Sequence, residues 1–198
     1  MSRRARIADA AISTLARDGM RGLTHRAVDR AAGLPEGSAS YYFRTRQALL
    51  QATVERLAEL TRTDMLSSAA MPDSTAPPAL PGHGLDALAG VTAALVESWL
   101  TTGRERQLAR YELALEANRR PELRQTLVAT GAAIRAVIAD LFAAAGVPQP
   151  HQRAADFAAF IDGLLFDQIA GAGSRELTGA DLHTTIATLL AAVTSRHS

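Results

Sequence analysis

Apolar residues recur along this chain at intervals of three and four, and strict alternation of apolar and polar residues is nearly absent. Such spacing places the apolar side chains on one face of a helix, whereas a half-buried strand would alternate. The pattern therefore predicts an all-α protein of nine helices. Their predicted ranges are about 4–17, 24–32, 35–43, 45–68, 85–102, 104–119, 121–146, 150–171 and 178–196.

Residues that start or stop helices support these ranges. Gly19 is predicted to end the first helix, because glycine adopts the left-handed conformation that commonly follows a helix. Pro121 and Pro150 lie near helix starts, where the missing N–H costs little. Four of the eight prolines fall within residues 71–84, which predicts a loop between the fourth and fifth helices.

Charge is distributed unevenly between the two ends of the chain. Residues 1–50 hold nine arginines and four acids, a net charge of +5, whereas the remaining 148 residues hold twelve arginines and sixteen acids, a net charge of −4. A basic end on an acidic body is expected where one end of a protein approaches phosphate. We therefore predict a three-helix head over residues 1–46 and a larger helical body over residues 47–198.

Several classes of protein are disfavoured by what the sequence lacks. There is no cysteine, so disulfides, thiolate metal sites and cysteine nucleophiles are excluded. The five histidines form no i, i+4 pair, and neither a glycine-rich phosphate loop nor G-x-S-x-G occurs. We expect no enzyme activity, no cofactor and no metal site. The N-terminus resembles no secretory signal, and no run approaches the ~18 apolar residues of a membrane span, which predicts a cytoplasmic protein without a membrane partner.

Residues 24–43 read THRAVDRAAGLPEGSASYYF, which predicts two short helices joined by a glycine-containing turn. This arrangement is typical of a helix-turn-helix, whose second helix enters the major groove of DNA. The apolar residues between the two helices would pack them together, and the residues left exposed on the second are Glu36, Gly37, Ser38, Ser40 and Tyr41. Because Gly37 and Ser38 have almost no side chain, the backbone there can approach bases and phosphate closely.

The same stretch resembles the DNA-binding domain of the tetracycline-repressor (TetR) family. That family carries a pattern close to A-x-x-L-x-x-x-x-G, followed by T-x-x-x-I-A-x-x-A-G-V-S-x-G-x-x-Y-x-Y-F-x-x-K-x-x-L. The residues here that match the first part within about one position are Ala11, Leu15 and Gly19, and those in register with the second are Thr24, Val28, Ala32, Gly33, Leu34, Gly37, Tyr42, Phe43, Arg46 and Leu49.

The resemblance implies a transcriptional regulator, in the usual case a repressor. Such a protein binds a palindromic double-stranded operator as a homodimer and is released by a small hydrophobic or amphipathic effector. A helix-turn-helix activator or nucleoid-type DNA-binding protein without a small-molecule inducer stays open as an alternative. The resemblance also implies residue roles: phosphate contacts for Thr24, Tyr42 and Arg46, and groove-facing positions for Arg26, Ser38, Ser40 and Tyr41.

Three residues depart from the family pattern. Asp29 stands where the family usually has alanine, which implies either looser packing between the two helices or an outward-pointing side chain. Pro35 replaces the usual serine cap and exchanges a side-chain hydrogen bond for a preset φ angle. Glu36 stands where a basic residue is common, so its carboxylate would repel phosphate.

The last two predicted helices favour a dimer. Residues 154–170 are apolar nearly all the way round the helix, and such a helix must be covered on both sides. The resemblance implies a four-helix bundle formed by the last two helices of each subunit, although a monomeric core would also explain the pattern. The predicted interface residues are Phe157, Ile161, Leu164, Leu165, Leu182, Thr185, Ile186, Leu189 and Val193.

The body is also expected to hold the effector among its helices, in an apolar cavity with a few polar groups. The apolar candidates for this site are Met65, Trp99, Tyr111, Ile134, Phe142, Phe160 and Phe166, and the polar candidates are Thr61, Glu112, Thr130 and Asp162. For each aromatic residue taken alone, an ordinary core position is the alternative.

Overall fold

The computed structural model describes residues 2–69, 83–173 and 177–195. Within these ranges the chain forms nine α-helices and no strand, which confirms the predicted all-α class. In chain order they are α1 (Arg3–Gly22), α2 (His25–Ala32), α3 (Ser38–Tyr42), α4 (Arg46–Ala69), α5 (His83–Leu100), α6 (Arg104–Ala117), α7 (Pro121–Ala144), α8 (Pro150–Ile169) and α9 (Gly179–Thr194).

The helices are distributed over two compact units. Unit 1 comprises Met1–Thr61 and Gly103–Ala132, and unit 2 comprises Arg62–Thr102 and Ala133–Ser198. Helices α4 and α7 each contribute residues to both units, so the units do not coincide with consecutive stretches of chain. The predicted functional boundary at residue 46 stays a prediction.

The largest differences from the predicted helix bounds are in α1 and α3. Helix α1 continues to Gly22, but Gly19 interrupts it with φ 64° and ψ −173°. The predicted stop is therefore a break inside a longer element, because one more turn follows the glycine. Helix α3 begins at Ser38 and not at Pro35, since Gly37 has φ +93°, a left-handed conformation outside the α-helical range.

The loop was predicted to cover residues 71–84, but its predicted C-terminal end lies two residues inside α5. His83 and Gly84 belong to α5, and residues 71–82 lie outside the described ranges.

Unit 1 has a core built mainly by α1, with α2 and α6 packed against it. The buried residues include Ile7, Ala11, Leu15, Leu23, Val28, Leu49, Leu50, Val54, Leu113 and Leu123. An ion pair also joins α1 to α4: the Arg56 guanidinium donates from Nε to Asp9 at 2.7 Å and from Nη1 to Glu59 at 2.8 Å. These two carboxylates raise the pKa of Arg56 above its ordinary value.

The helices that lie wholly in unit 2 are α5, α8 and α9, and each of them contacts the other two. The ring of Phe142 lies 5.6 Å from that of Phe157, measured between centroids, and both residues are buried. Thr178 and Asp181 form a reciprocal capping box at the start of α9, which satisfies amides that have no partner within the helix. The core of this unit therefore uses the inner faces of α8 and α9.

Among the described residues, α7 is the single helix whose length and mean hydropathy, 1.7, would suffice to cross a membrane, and 11 % of its apolar stretch is buried. This differs from the expectation that no segment approaches a span. Arg135 and Asp140 lie within the helix, and a charge at the centre of a bilayer is costly. Composition alone does not assign α7 to a membrane, because helices of water-exposed proteins reach the same hydropathy.

Candidate nucleic-acid interface

Helix α3 presents a polar surface on unit 1. Ala39 is its only buried residue, and Phe43, which follows the helix, is buried as well. Ser40 is exposed, and Tyr41 is 79 % exposed, the highest value among the large apolar or aromatic side chains described. A tyrosine ring that is exposed to this extent adds little to the stability of the fold. The position of Tyr41 therefore favours a contact with another molecule.

Residues at the start of α2 lie beside this surface. The Thr24 hydroxyl accepts a hydrogen bond from the Ala27 amide at 3.1 Å and so caps α2, while its own proton stays available to a phosphate. The Arg26 guanidinium forms an ion pair with Glu36 at 2.9 Å, and both side chains are largely exposed. Glu36 therefore neutralises a residue predicted to face the groove.

The C-terminal end of α3 is attached to the core. The Arg4 guanidinium lies 4.6 Å above the Phe43 ring and donates to the Tyr42 carbonyl at 3.3 Å. The His25 Nε2 atom lies 2.7 Å from the Phe43 carbonyl oxygen and donates to it. Tyr42 is half-buried, so its ring packs against the core of unit 1.

The N-terminal end of α3 is held by Asp29, a residue that the sequence did not predict to be functional. Its side chain is buried, with one carboxylate oxygen accepting from the Gly37 amide at 2.8 Å and the other from the Ala39 amide at 2.7 Å. The expected loose packing or outward orientation is therefore wrong. The signal was present: a short helix starting at glycine, with proline in place of the serine cap, needs an acceptor from elsewhere.

Arg46 is half-buried and holds the last turn of α1 and the residue that follows it. Its guanidinium donates to the carbonyls of Met20 and Leu23. Guanidinium carries five N–H donors, so donors are left for the predicted phosphate contact. The Glu112 carboxylate of α6 accepts from the Met20 amide in the same turn of α1 at 3.2 Å. Glu112 thus has a structural partner within unit 1.

Glu116 lies one turn after Glu112 on α6 and interacts with several arginines. The Arg120 guanidinium hydrogen-bonded to it lowers the pKa of the Glu116 carboxyl, and Arg119 and Arg46 contribute in the same direction. Because Glu116 is thereby kept ionised, it adds stability that is lost only as the pH falls through its lowered pKa.

The candidate effector residues are divided between the two units. Unit 1 contains Thr61, Tyr111, Glu112 and Thr130, and unit 2 contains Met65, Trp99, Ile134, Phe142, Phe160, Asp162 and Phe166. Met65, Trp99, Tyr111 and Phe142 are buried. Thr130 donates to the Thr126 carbonyl of its own helix. Phe160 and Phe166, in contrast, are 50 % and 46 % exposed, so they lie on the surface of α8.

Most of the predicted interface residues lie in the core of unit 2. Six of them are buried within the protomer: Phe157, Ile161, Leu165, Leu182, Ile186 and Val193. Leu164, Thr185 and Leu189 are partly buried. Periodicity reports an apolar face without saying what covers it, and for these six the protomer itself supplies most of the cover. Their place in a dimer interface stays a prediction.

The outward faces of α8 and α9 carry a different set of residues. Exposed on these faces are Ala159, Phe160, Gly163, Thr188, Ala191 and Ala192. A groove of about 300 Å³ lies on this surface, and it is lined by Asp156, Ala159, Phe160, Ala192 and Val193. A large aromatic ring among small side chains leaves an uneven apolar surface in contact with water.

A three-helix head with a short, exposed second helix of a helix-turn-helix, followed by a larger helical part, defines a DNA-binding regulator. Comparison with family models supports this class over most of the chain. Residues 7–53 match the bacterial regulatory proteins of the tetR family, and residues 83–196 match the tetracyclin repressor-like C-terminal domain. The chain belongs to the TetR family of transcriptional regulators.

Solved structures of this fold include a ligand-binding member. The multidrug-binding protein EbrR in complex with imidazole is 26 % identical with a TM-score of 0.68, covering 100 % of this chain and 98 % of its own. Its complex with ethidium is 27 % identical with a TM-score of 0.68, covering 95 % and 98 %. A TetR-family member from Streptomyces coelicolor A3, SCO1917, is 27 % identical with a TM-score of 0.72, covering 99 % and 100 %. No curated protein sequence matches the chain.

Proposed function

We propose that this TetR-family regulator is a cytoplasmic repressor that binds a palindromic operator as a homodimer and is released by a small cationic aromatic molecule. The exposed surface of α3 carries the DNA-binding part of this proposal, because Ser40 and Tyr41 project from a head with a net charge of +5. Arginines attract phosphate regardless of sequence, whereas side chains in the major groove select bases.

The proposed dimer uses the outward faces of α8 and α9. Their exposed small residues, together with Phe160, form an apolar surface next to the groove of about 300 Å³. A second copy related by twofold symmetry would bring the same faces together and cover both aromatic rings. Two heads in one dimer would then match the two half-sites of a palindrome.

The proposed effector class rests on unit 2. This unit contains ten carboxylates and five arginines, a net charge of −5. Within it, the indole Nε1 of the buried Trp99 donates to the Asp64 carboxylate at 3.0 Å. An aromatic face beside a carboxylate attracts cations, and the complexes of the similar protein EbrR with ethidium and with malachite green are consistent with such a ligand.

A substitution in α3 tests the DNA-binding surface. Tyr41→Ala should leave the fold intact, since the ring is 79 % exposed, and should change the ranking of duplex sequences by ~1–3 kcal/mol per affected base pair. Preferred duplexes would be selected from a random library with the unaltered protein. Affinities for the selected and a scrambled duplex would then be measured by fluorescence anisotropy.

The matched control is Tyr42→Phe, which removes only a hydroxyl predicted to contact phosphate. It should weaken binding to both duplexes by the same factor, because phosphate contacts carry no sequence information. If Tyr41→Ala leaves the ranking of sequences unchanged, α3 does not read DNA as proposed. Selection of no sequence by the unaltered protein would favour a nucleoid-type binder.

A dye titration tests the effector. Malachite green should quench the fluorescence of Trp99, the one tryptophan of the chain, and operator DNA should weaken dye binding by the factor by which dye weakens DNA binding, ~5–150-fold. Asp64→Asn should weaken dye binding more than the control Asp86→Asn does, since Asp86 is an exposed acid of the same unit. Equal dye affinity with and without bound DNA would show that the dye is not an inducer.

A further inference from the structure

The N-terminal part of α3 has little apolar attachment of its own. The helix has five residues, of which Ala39 is fully buried and Tyr42, at the C-terminal end, is partly buried against the core of unit 1. Its N-cap is Gly37, which has no side chain to accept a hydrogen bond from the first amides of the helix. Polar contacts from outside α3 must therefore contribute much of what fixes its direction.

Those contacts come from one face of α2. His25 and Asp29 are four residues apart in α2, so their side chains project from the same side of that helix. Asp29 binds the amides of Gly37 and Ala39 at the start of α3, and His25 donates to the carbonyl of Phe43 at its end. One face of α2 thus holds α3 at both termini.

We infer that His25 and Asp29 are positioning residues that set the orientation of α3 on DNA and thereby determine sequence specificity; this rests on the proposed DNA-binding function. Neither side chain needs to contact a base. The Asp29 carboxylate accepts hydrogen bonds from two backbone amides, those of Gly37 and Ala39, that no residue of α3 can satisfy. Each of its two oxygens binds one of these amides. A small rotation of α3 would move Ser40 and Tyr41 together relative to the base edges, so specificity depends on these contacts.

The test compares Asp29→Asn with Asp18→Asn in the full-length chain. Both variants remove one negative charge from the same head, but the Asp18 side chain is exposed and pairs with Arg17 of α1, not with α3. An amide accepts hydrogen bonds through only one oxygen, so Asp29→Asn leaves one α3 amide unsatisfied. If charge alone mattered, both variants would bind all DNA more tightly and to the same extent.

The readout is the ratio of affinities for the library-selected duplex and a scrambled duplex at one salt concentration. Asp29→Asn should lower this ratio about tenfold, as expected for the loss of one hydrogen bond to a charged group. Asp18→Asn should strengthen both affinities and leave the ratio unchanged. Hydrogen exchange should be faster at the Gly37 and Ala39 amides in Asp29→Asn but not in Asp18→Asn.

His25→Ala is a second variant, which keeps the test decisive if Asp29→Asn fails to fold. His25 is only partly buried, and its replacement removes one hydrogen bond to the Phe43 carbonyl. It should lower the same ratio with an unchanged circular dichroism spectrum. A ratio within twofold of the unaltered protein in both Asp29→Asn and His25→Ala would overturn the inference. Absence of any selected duplex for the unaltered protein would instead contradict the proposed function.

Discussion

Replacing Ile186 with aspartate should unfold unit 2, not merely separate two subunits. Ile186 is 0 % exposed and lies in the core that α9 shares with α5 and α8. Burying an unpaired carboxylate there, together with the loss of apolar burial, should cost more than about 4 kcal/mol. Because small domains are stable by only ~5–15 kcal/mol, much of the helical signal should disappear.

Circular dichroism and thermal unfolding, combined with light scattering, would measure this effect. Ala87→Asp is the control, since Ala87 is exposed on α5 of the same unit and lies outside the proposed dimer surface. It should change the unfolding temperature little. A folded, monomeric Ile186→Asp protein would contradict the assignment to the core and restore Ile186 to the interface.

Replacing Phe160 with glutamate should have the opposite outcome: a folded protein that is monomeric. The side chain is 50 % exposed, so the protomer loses little core packing. In the proposed dimer, however, two added carboxylates would be buried near Asp156 of each subunit. Loss of the second head should then reduce operator affinity ~100-fold or more, because bivalent binding is lost.

Leu115→Glu is the matched control, because Leu115 is 61 % exposed but lies on α6 in unit 1. It should stay dimeric and bind the selected duplex normally. Light scattering and anisotropy would be run on both variants. A Phe160→Glu protein that stays dimeric with unaltered DNA affinity but no longer binds malachite green would place Phe160 in the effector site and refute the proposed interface.

Much of the fold follows from information that is local in the sequence. Apolar residues at intervals of three and four predicted nine helices, and Pro121 and Pro150 marked two of their starts as α7 and α8 show. The pattern of residues 24–43 also predicted which side chains of α3 face outward. Ala39 is a small apolar residue between polar neighbours, so it faces the core, and they are not buried. Helix periodicity and caps act over a few residues, so one sequence suffices to see them.

What the sequence left undetermined depends on partners distant along the chain. Periodicity showed that α8 and α9 are apolar, but only packing against α5 decided that Ile186 faces the protomer's core and Phe160 faces outward. Asp29 is an unexpected acid in the sequence and the cap of α3 in the structure, because its acceptors meet amides eight and ten residues away. Burial and hydrogen bonding are properties of neighbours in space, and only the tertiary structure specifies those neighbours.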